Sequence, residues 1–151
     1  MKVFNKITVT ALLLFMTTAA FAQIEKPVVW SYLVKKNNKT EATIYMKAVI
    51  EKGWHIYSQN VKEGGPVKTS FKFSPSKDFS LVGRVIEPKS IGKYEPTFKM
   101  NVNYFEKSVT FHQKIKLNKA VSVVKVKVEF MVCNDRQCLP PEELDFSIPV
   151  K

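Results

Sequence analysis

Residues 124–141 read VKVKVEFMVCNDRQCLPP and decide how the chain folds. Apolar residues occupy every second position from Val124 to Val132, which is typical of an antiparallel strand with one buried face. This strand ends in a short polar loop between Cys133 and Cys138, the only cysteines of the chain. A Pro-Pro pair follows, and it stops any continuous strand there. The stretch therefore predicts a strand that displays a Cys-x4-Cys loop.

The same period of two continues along most of the chain and predicts an all-β fold. Turn signals such as Glu63-Gly64-Gly65-Pro66 separate the alternating segments. Together they predict about seven to nine antiparallel strands in a β-sandwich. The alternating apolar positions outside the opening stretch are Ala42, Ile44, Met46, Ala48, Ile50, Val109, Phe111, Ile115, Leu117, Leu144, Phe146, Ile148 and Val150.

Two places depart from this pattern. Gln113 stands on an apolar face, where a polar side chain needs a hydrogen-bond partner or marks a bulge. Residues 87–102 contain Pro88, Gly92 and Pro96 and lack a clear alternation, so we expect a long loop there.

Residues 1–22 have the pattern of a secretory signal peptide. Lys2 and Lys6 precede the apolar run of residues 7–16, and Ala20-Phe21-Ala22 fits a cleavage site after Ala22. The apolar run is too short for a stable membrane span. We therefore expect residues 23–151 to form one exported domain that does not insert into a membrane.

The chain is basic, with a formal net charge of +11. Its lysines are scattered along the predicted strands, as in the pair Lys125 and Lys127, rather than gathered in one patch. Charge without clustering supports only non-specific attraction to nucleic acid. We therefore expect solvated sheet faces and no nucleic-acid partner.

Export decides the chemistry open to the two cysteines. Outside the cytosol a close pair is expected to oxidise, and two cysteines allow one intramolecular bridge. Closing so short a loop stabilises the fold by only about 2 kcal/mol in the chain-entropy account. The residues alone leave two hypotheses open, a structural disulfide and a redox-active one.

The same residues bear on two other chemistries and on one function without chemistry. Zinc would need His55 and His112 beside both cysteines, yet no histidine follows the cysteines at finger-like spacing, so we expect no metal and no cofactor. A Cys–His hydrolase would need one thiol kept free, which an oxidising compartment opposes. The alternative function is a protein-binding or carbohydrate-binding sandwich with a structural disulfide. Its candidate aromatics are Trp54, Tyr57, Tyr94, Phe98, Tyr104 and Phe105.

Three segments carry a resemblance to a known family. Residues 130–142, FMVCNDRQCLPPE, resemble the end of the N-terminal periplasmic domain of the thiol:disulfide interchange protein DsbD. Residues 53–57, GWHIY, are similar to that domain's Gly-aromatic-x-apolar-Tyr segment, and residues 104–108, YFEKS, are similar to its cap loop. The resemblance covers about residues 28–150 and implies an immunoglobulin-like antiparallel β-sandwich.

The resemblance also implies roles for individual residues. Cys138 would form the mixed disulfide with a partner, and Cys133 would resolve it. Tyr104 or Phe105 would cover the sulfurs until a partner docks. Around this cap, Asn103, Trp54 and Tyr57 are the further candidates for partner docking.

The partners implied are thioredoxin-like. The resemblance suggests a periplasmic electron relay of the protein-disulfide reductase type. It would take electrons from the thioredoxin-like domain of a membrane thiol reductase and pass them to periplasmic thioredoxin-like or disulfide isomerase proteins. Because the sequence ends at Lys151, where the full-length reductase continues, we expect a free-standing version whose donor is a separate protein.

Overall fold

The computed structural model describes residues 25–151, and all regular structure among them is β-strand. Every strand pairing is antiparallel, so the predicted all-β fold is confirmed. The predicted signal peptide, residues 1–22, lies outside the described residues. In chain order the strands are β1 (Val28–Lys36), β2 (Glu41–Ile50), β3 (His55–Tyr57), β4 (Ser70–Phe73), β5 (Phe79–Ile86), β6 (Ile91–Glu95), β7 (Met100–Phe105), β8 (Ser108–Leu117), β9 (Ser122–Phe130), β10 (Val132–Cys133) and β11 (Glu142–Val150).

The strands form three sheets. The first has the order β1-β2-β8-β5, and the second has the order β11-β9-β4. The third has the order β10-β3-β7-β6 and is called the cysteine sheet here, because β10 carries Cys133.

The first two sheets pack face to face around an apolar core. The alternating residues of β2, β8 and β9 point inward, and Ile44, Phe111 and Val128 are fully buried. Aromatic side chains join the sheets at the centre, where the ring of Trp30 on β1 lies 5.4 Å from that of Phe130 on β9. The predicted β-sandwich follows from this period-two burial.

The cysteine sheet covers one end of this core. Ile56, Phe105 and Val132, from three of its four strands, belong to the same buried cluster as the two larger sheets. The ring of Phe105 meets that of Phe111 edge to face at 5.7 Å. One face of the cysteine sheet is therefore part of the main core.

The buried Gln113 has the partner that its position requires. Its Nε2 donates to the carbonyl oxygen of Val82 at 3.0 Å and to that of Lys114 at 2.7 Å. The pairing of β5 with β8 shifts register between Val82 and Ile86. A bulge on the neighbouring strand thus supplies the acceptor, and both expectations for Gln113 are confirmed.

The prediction of a long loop over residues 87–102 is wrong. Strands β6 and β7 form a hairpin there, joined by a turn at residues 96–99 in which Lys99 adopts a φ of 54°. Strand β6 is an edge strand that pairs only with β7, so it needs no regular apolar alternation. Short strands of this kind also raise the number of strands among the described residues to eleven, above the roughly seven to nine that the sequence predicts.

Candidate active site

The two cysteines form a disulfide at the end of the opening strand. Cys133 lies on β10, and Cys138 faces it across an antiparallel bridge with the two Cα atoms 4.0 Å apart. The N–H of Leu139 donates to the carbonyl oxygen of Val132 at 2.9 Å and closes the hairpin. The chain therefore turns back on itself within the residues between the cysteines.

Asn134 organises this cysteine loop, defined here as residues 133–138. Its Oδ1 accepts hydrogen bonds from the backbone N–H groups of Arg136 and Gln137, both at 2.8 Å. Its own N–H donates to the carbonyl oxygen of Gln137 at 2.9 Å. An asparagine side chain that mimics a backbone turn in this way gives the loop a defined shape.

The outer face of the cysteine sheet lies directly under the disulfide. Cys133 is paired with His55, and Tyr57 is paired with Tyr104. Opposed residues of an antiparallel pair point to the same face, and so do residues two apart on one strand. Cys133, His55, Tyr57 and Tyr104 therefore share the outer face, while Ile56 and Phe105 point into the core.

These outer-face side chains form a second, polar cluster. The His55 ring lies 5.2 Å from that of Tyr57 and 5.0 Å from that of Tyr104, edge to face in both cases. The His55 Nε2 and the Tyr57 hydroxyl are 3.3 Å apart. His55 is only 3 % exposed, and Tyr57 and Cys133 are at most 1 % exposed. The base of the site is thus dry but rich in polar groups.

Burial controls the titration of this cluster. It lowers the pKa of His55 below the ordinary value of 6.5, and the positive charge of Lys93 acts in the same direction. The carboxylates of Glu95, Glu106 and Asp135 oppose this change. Burial also raises the pKa of Tyr57, with a smaller contribution from Glu95. At neutral pH the site therefore contains a neutral imidazole and a protonated phenol.

Tyr104 has a similar environment. Burial raises its pKa, helped by the Glu106 carboxylate. The Lys93 ammonium lies 5.0 Å from the centre of the Tyr104 ring, within cation–π distance. Lys93 also pairs with Glu95 at 3.6 Å. Strand β6 thus places charges of both signs above the outer face.

A cleft of about 530 Å³ opens beside the disulfide. The turn between β6 and β7 forms one wall through Pro96, Thr97 and Phe98. The cysteine loop forms the other wall, and both cysteines line the cleft. The half-buried Phe98 ring meets that of Tyr57 edge to face at 6.5 Å. This turn, residues 96–99, is called the cap turn below.

The two cysteines differ in their exposure. Cys138 is exposed in the cysteine loop, whereas Cys133 is 1 % exposed. An incoming thiolate must approach a disulfide sulfur from outside, so access decides which sulfur is attacked. This arrangement makes Cys138 the more accessible of the two cysteines.

The other candidate site residues lie in several environments. Tyr104 belongs to the buried cluster that contains Cys133, but Phe105 and Trp54 belong to the main core. Asn103 is exposed on β7, and its carbonyl oxygen accepts from the N–H of Ser58 at 2.9 Å. Neither Tyr104 nor Phe105 lines the cleft at the disulfide, where the nearest aromatic wall is Phe98.

Three site residues were missed as such by sequence reasoning. The sequence marks Phe98 only as a possible binding aromatic. It marks His55 only as a possible zinc ligand and as part of residues 53–57, and it gives Asn134 no role. The pairing of His55 with Cys133 depends on strand register, for which the sequence carries no local signal. Asn134 could have been found, because asparagine after a strand favours a turn.

The arrangement assumed for zinc is not present. His112 lies on β8 and packs against Tyr45 at 6.0 Å, whereas His55 lies opposite Cys133. Across residues 25–151, no three or more His, Cys, Asp and Glu side chains are grouped to hold a metal ion. The same part of the chain also has no helix of the length and apolarity needed to cross a membrane.

Comparison with protein families gives one match, which covers most of the chain. Residues 25–149 match the family described as thiol:disulfide interchange protein DsbD, N-terminal. No curated protein sequence matches the chain closely enough to count as a relative.

Solved structures of the same kind resemble the fold. The reduced N-terminal domain of DsbD from Neisseria meningitidis superposes with a TM-score of 0.52 at 17% identity, over 78% of this chain and 82% of that one. The same organism's DsbD N-terminal domain in complex with the PilB N-terminal domain gives 0.57 at 15% identity, over 83% and 87%. The N-terminal periplasmic domain of ScsB from Proteus mirabilis gives 0.59 at 16% identity, over 83% of this chain and 47% of that one. The predicted immunoglobulin-like β-sandwich is confirmed by this likeness.

Proposed function

This chain belongs to the family of DsbD N-terminal domains, and we propose on that basis that it relays electrons between thioredoxin-like proteins through Cys133 and Cys138. Membership supports thiol–disulfide exchange as the type of chemistry. The single observation that carries the proposal for this chain is the unequal exposure of the two cysteines. Both line the cleft, but Cys138 is exposed and Cys133 is only 1 % exposed.

The reductive half of the relay begins at Cys138. A thiolate of the reduced donor attacks Cys138 Sγ, the Cys133–Cys138 bond breaks, and Cys133 Sγ leaves with the electron pair. The second thiol of the donor then attacks the donor's own sulfur in the mixed disulfide and releases Cys138. The donor ends as a disulfide, and this chain holds two thiols, so two electrons have moved.

The oxidative half reverses these roles. The Cys138 thiolate attacks the disulfide of the acceptor and forms a new mixed disulfide. Cys133 then attacks Cys138 Sγ, which restores the intramolecular bridge and releases the acceptor in its reduced form. A buried second thiol favours this order, because a partner cannot reach it directly.

The cap turn gives the relay its selectivity. Phe98 stands against Tyr57 at the edge of the cleft that contains both cysteines, so it takes the shielding role expected of Tyr104 or Phe105. An exposed turn whose Phe98 ring is half-buried can move aside for a docking protein while it hinders small thiols. Tyr57 and Tyr104 then form the base beneath the cap, and Asn103 directly precedes Tyr104 on β7.

The partner class follows from the family. In N. meningitidis a DsbD N-terminal domain forms a complex with the PilB N-terminal domain, so a domain with this fold can bind a protein partner. For this chain we propose the thioredoxin-like domain of a membrane thiol reductase as donor and periplasmic thioredoxin-like or isomerase proteins as acceptors. Removal of residues 1–22 on export would place it in that compartment.

The test uses two single-cysteine variants and an activated partner. A thioredoxin that lacks its second active-site cysteine is loaded with a coloured aromatic thiol, and its reaction with Cys133→Ala or Cys138→Ala is followed. We expect a stable mixed disulfide between Cys138 and the thioredoxin in the first variant and almost none in the second. Equal trapping by both variants, or trapping by neither in the folded state, would overturn the proposal. Resistance of the wild-type bridge to reduced thioredoxin until the protein unfolds would favour a structural disulfide.

A further inference from the structure

The outer face of the cysteine sheet contains a buried histidine that the relay described above does not use. We propose that His55 is the proton acceptor for the Cys133 thiol when Cys133 resolves a mixed disulfide on Cys138. This inference rests on the proposed function, since it assigns the group that makes one of its steps possible.

The register of the sheet brings the two side chains together. Cys133 on β10 is directly opposite His55 on β3. In such antiparallel pairs the Cβ atoms lie about 4.5–5.5 Å apart on one face of the sheet. An imidazole extends far enough from its Cβ to meet a thiol across that distance.

The chemistry requires an acceptor at this place. Only a thiolate attacks a disulfide, so the Cys133 thiol must lose its proton first. Cys133 is 1 % exposed, and His55 beside it is 3 % exposed, so bulk water does not reach either readily. Burial disfavours a lone thiolate, and a neighbouring base that becomes positively charged offsets that cost.

His55 is the suitable base among the titratable groups around Cys133. Burial and Lys93 lower its pKa, so its ring is neutral and able to accept a proton at neutral pH. Tyr57 and Tyr104 have raised pKa values and stay protonated. The charged groups that act on His55 come from β6, from the residue after β7 and from the cysteine loop, and they are Lys93, Glu95, Glu106 and Asp135.

The same neighbouring groups also stabilise the His55 imidazolium that the proton transfer produces. The three carboxylates among them favour the imidazolium once it forms. The Tyr57 hydroxyl, 3.3 Å from Nε2, holds the ring in a defined orientation. Such orientation of a base by a second group is common in nucleophile–base pairs.

The step is balanced in atoms and electrons. The proton of Cys133 moves to an imidazole nitrogen, and the Cys133 thiolate attacks Cys138 Sγ. The Cys133–Cys138 bond forms, the bond from Cys138 to the acceptor breaks, and the acceptor sulfur leaves as a thiolate. The His55 proton then passes to that thiolate or to solvent. In the reductive half Cys133 leaves as a thiolate and takes its proton from solvent, because His55 is neutral when that half begins.

The two thiol reactions can be separated with an aromatic disulfide reagent. In the reduced protein, Cys138 attacks the reagent and releases one coloured thiolate. Cys133 then attacks the adduct on Cys138 and releases a second. The rates of both phases are compared at several pH values in the wild type and in His55→Gln, whose amide can still bond to the Tyr57 hydroxyl. His112→Gln is the matched control, because His112 lies on β8 away from the cysteines.

We expect His55→Gln to slow the second phase by at least about tenfold at pH 7, because general-base catalysis typically contributes about 10²–10⁴-fold. The first phase should change by less than about twofold, and raising the pH should reduce the difference as the thiol ionises without help. In the wild type the second phase should slow as the pH falls below the ordinary histidine range. His112→Gln should match the wild type in both phases.

Three results would overturn the inference. They are an unchanged second phase, an equal slowing of both phases, and a pH profile identical to that of the wild type. His55→Phe keeps an aromatic ring between the two tyrosines and serves if His55→Gln does not fold. Failure of Cys138 to react in the first phase of the wild type would instead refute the proposed function, so the two failures are distinguishable.

Discussion

The two faces of the cysteine sheet are equally buried but chemically opposite. On the inner face Ile56, Phe105 and Val132 are apolar and belong to the main core. On the outer face the neighbouring residues His55, Tyr57 and Cys133 carry an imidazole, a phenol and a sulfur. Successive side chains along a strand point to opposite faces of the sheet. The same short strands therefore contribute to the apolar inner face and to the polar outer face.

The difference lies in what covers each face. The inner face is covered by the strands of the two large sheets, which cannot be displaced without unfolding. The outer face is bordered by the cap turn, the cysteine loop and half-buried side chains such as Met100 and Met131. A face with such cover can be opened to a partner while the fold stays intact. This separation lets the domain expose a disulfide at little cost in stability.

The largest expected effect comes from breaking the inner face. Phe105→Ala should lower the free energy of unfolding by about 3–5 kcal/mol, because it leaves a cavity beside Phe111 in the core. Urea denaturation of the oxidised protein measures this. If the loss is below about 1 kcal/mol and the disulfide reacts faster in the folded state, Phe105 acts as a lid after all.

The matched substitution on the outer face should affect the reactivity of the disulfide more than the stability of the fold. Phe98→Ala should lower the free energy of unfolding by less than about 2 kcal/mol, because the ring is only half buried. Reduction of the disulfide by a small thiol should accelerate by about two- to tenfold, equal to at most about 1.4 kcal/mol of barrier. An unchanged rate of reduction would show that the cap turn does not shield the disulfide.

A smaller effect is expected in the cysteine loop. Asn134→Ala removes the acceptor of two backbone hydrogen bonds and should cost about 1 kcal/mol. A looser loop also keeps the reduced thiols further apart, so the disulfide should be easier to reduce in a glutathione redox titration. Asn134→Asp retains the acceptor and is the control. An unchanged midpoint of the redox titration in Asn134→Ala would show that the shape of the cysteine loop does not set the reduction potential of the disulfide.

The pH dependence of stability should be the smallest effect and should come from the outer face. The pKa of His55 is lower in the folded protein than its ordinary value of 6.5, so the unfolded chain binds the proton more readily. His55 should therefore cost no stability above that value and should destabilise the fold as the pH falls below it. His55→Gln should flatten the curve in this range, as followed by urea denaturation. If the free energy of unfolding depends on pH with the same slope in His55→Gln as in the wild type, groups other than His55 cause the dependence.

The inner face was predictable from the sequence because it depends on local alternation. The apolar positions of β2, β8 and β9 could be read directly, and their burial follows once the sheets pack. Even the exception at Gln113 was recognisable, since a buried amide must find an acceptor. The weakly patterned hairpin of β6 and β7 was not, because an edge strand needs no alternation.

The outer face was predictable only in part. The cysteine pair stands out in any exported chain with two cysteines. The position of Phe98 at the disulfide depends on a hairpin that meets a loop distant in sequence, and the pairing of His55 with Cys133 depends on register. Such contacts form through tertiary packing, so the sequence expectation of a cap at Tyr104 or Phe105 could not include Phe98.

The unequal access to Cys133 and Cys138 decides which of them a partner attacks, and mapping the mixed disulfide measures this directly. The oxidised wild-type protein is mixed with a thioredoxin variant that has a single active-site cysteine, the reaction is quenched with acid, and the adduct is mapped by peptide mass spectrometry. We expect the thioredoxin to be attached to Cys138 and Cys133 to be the free thiol. Attachment to Cys133, or to both cysteines equally, would contradict it.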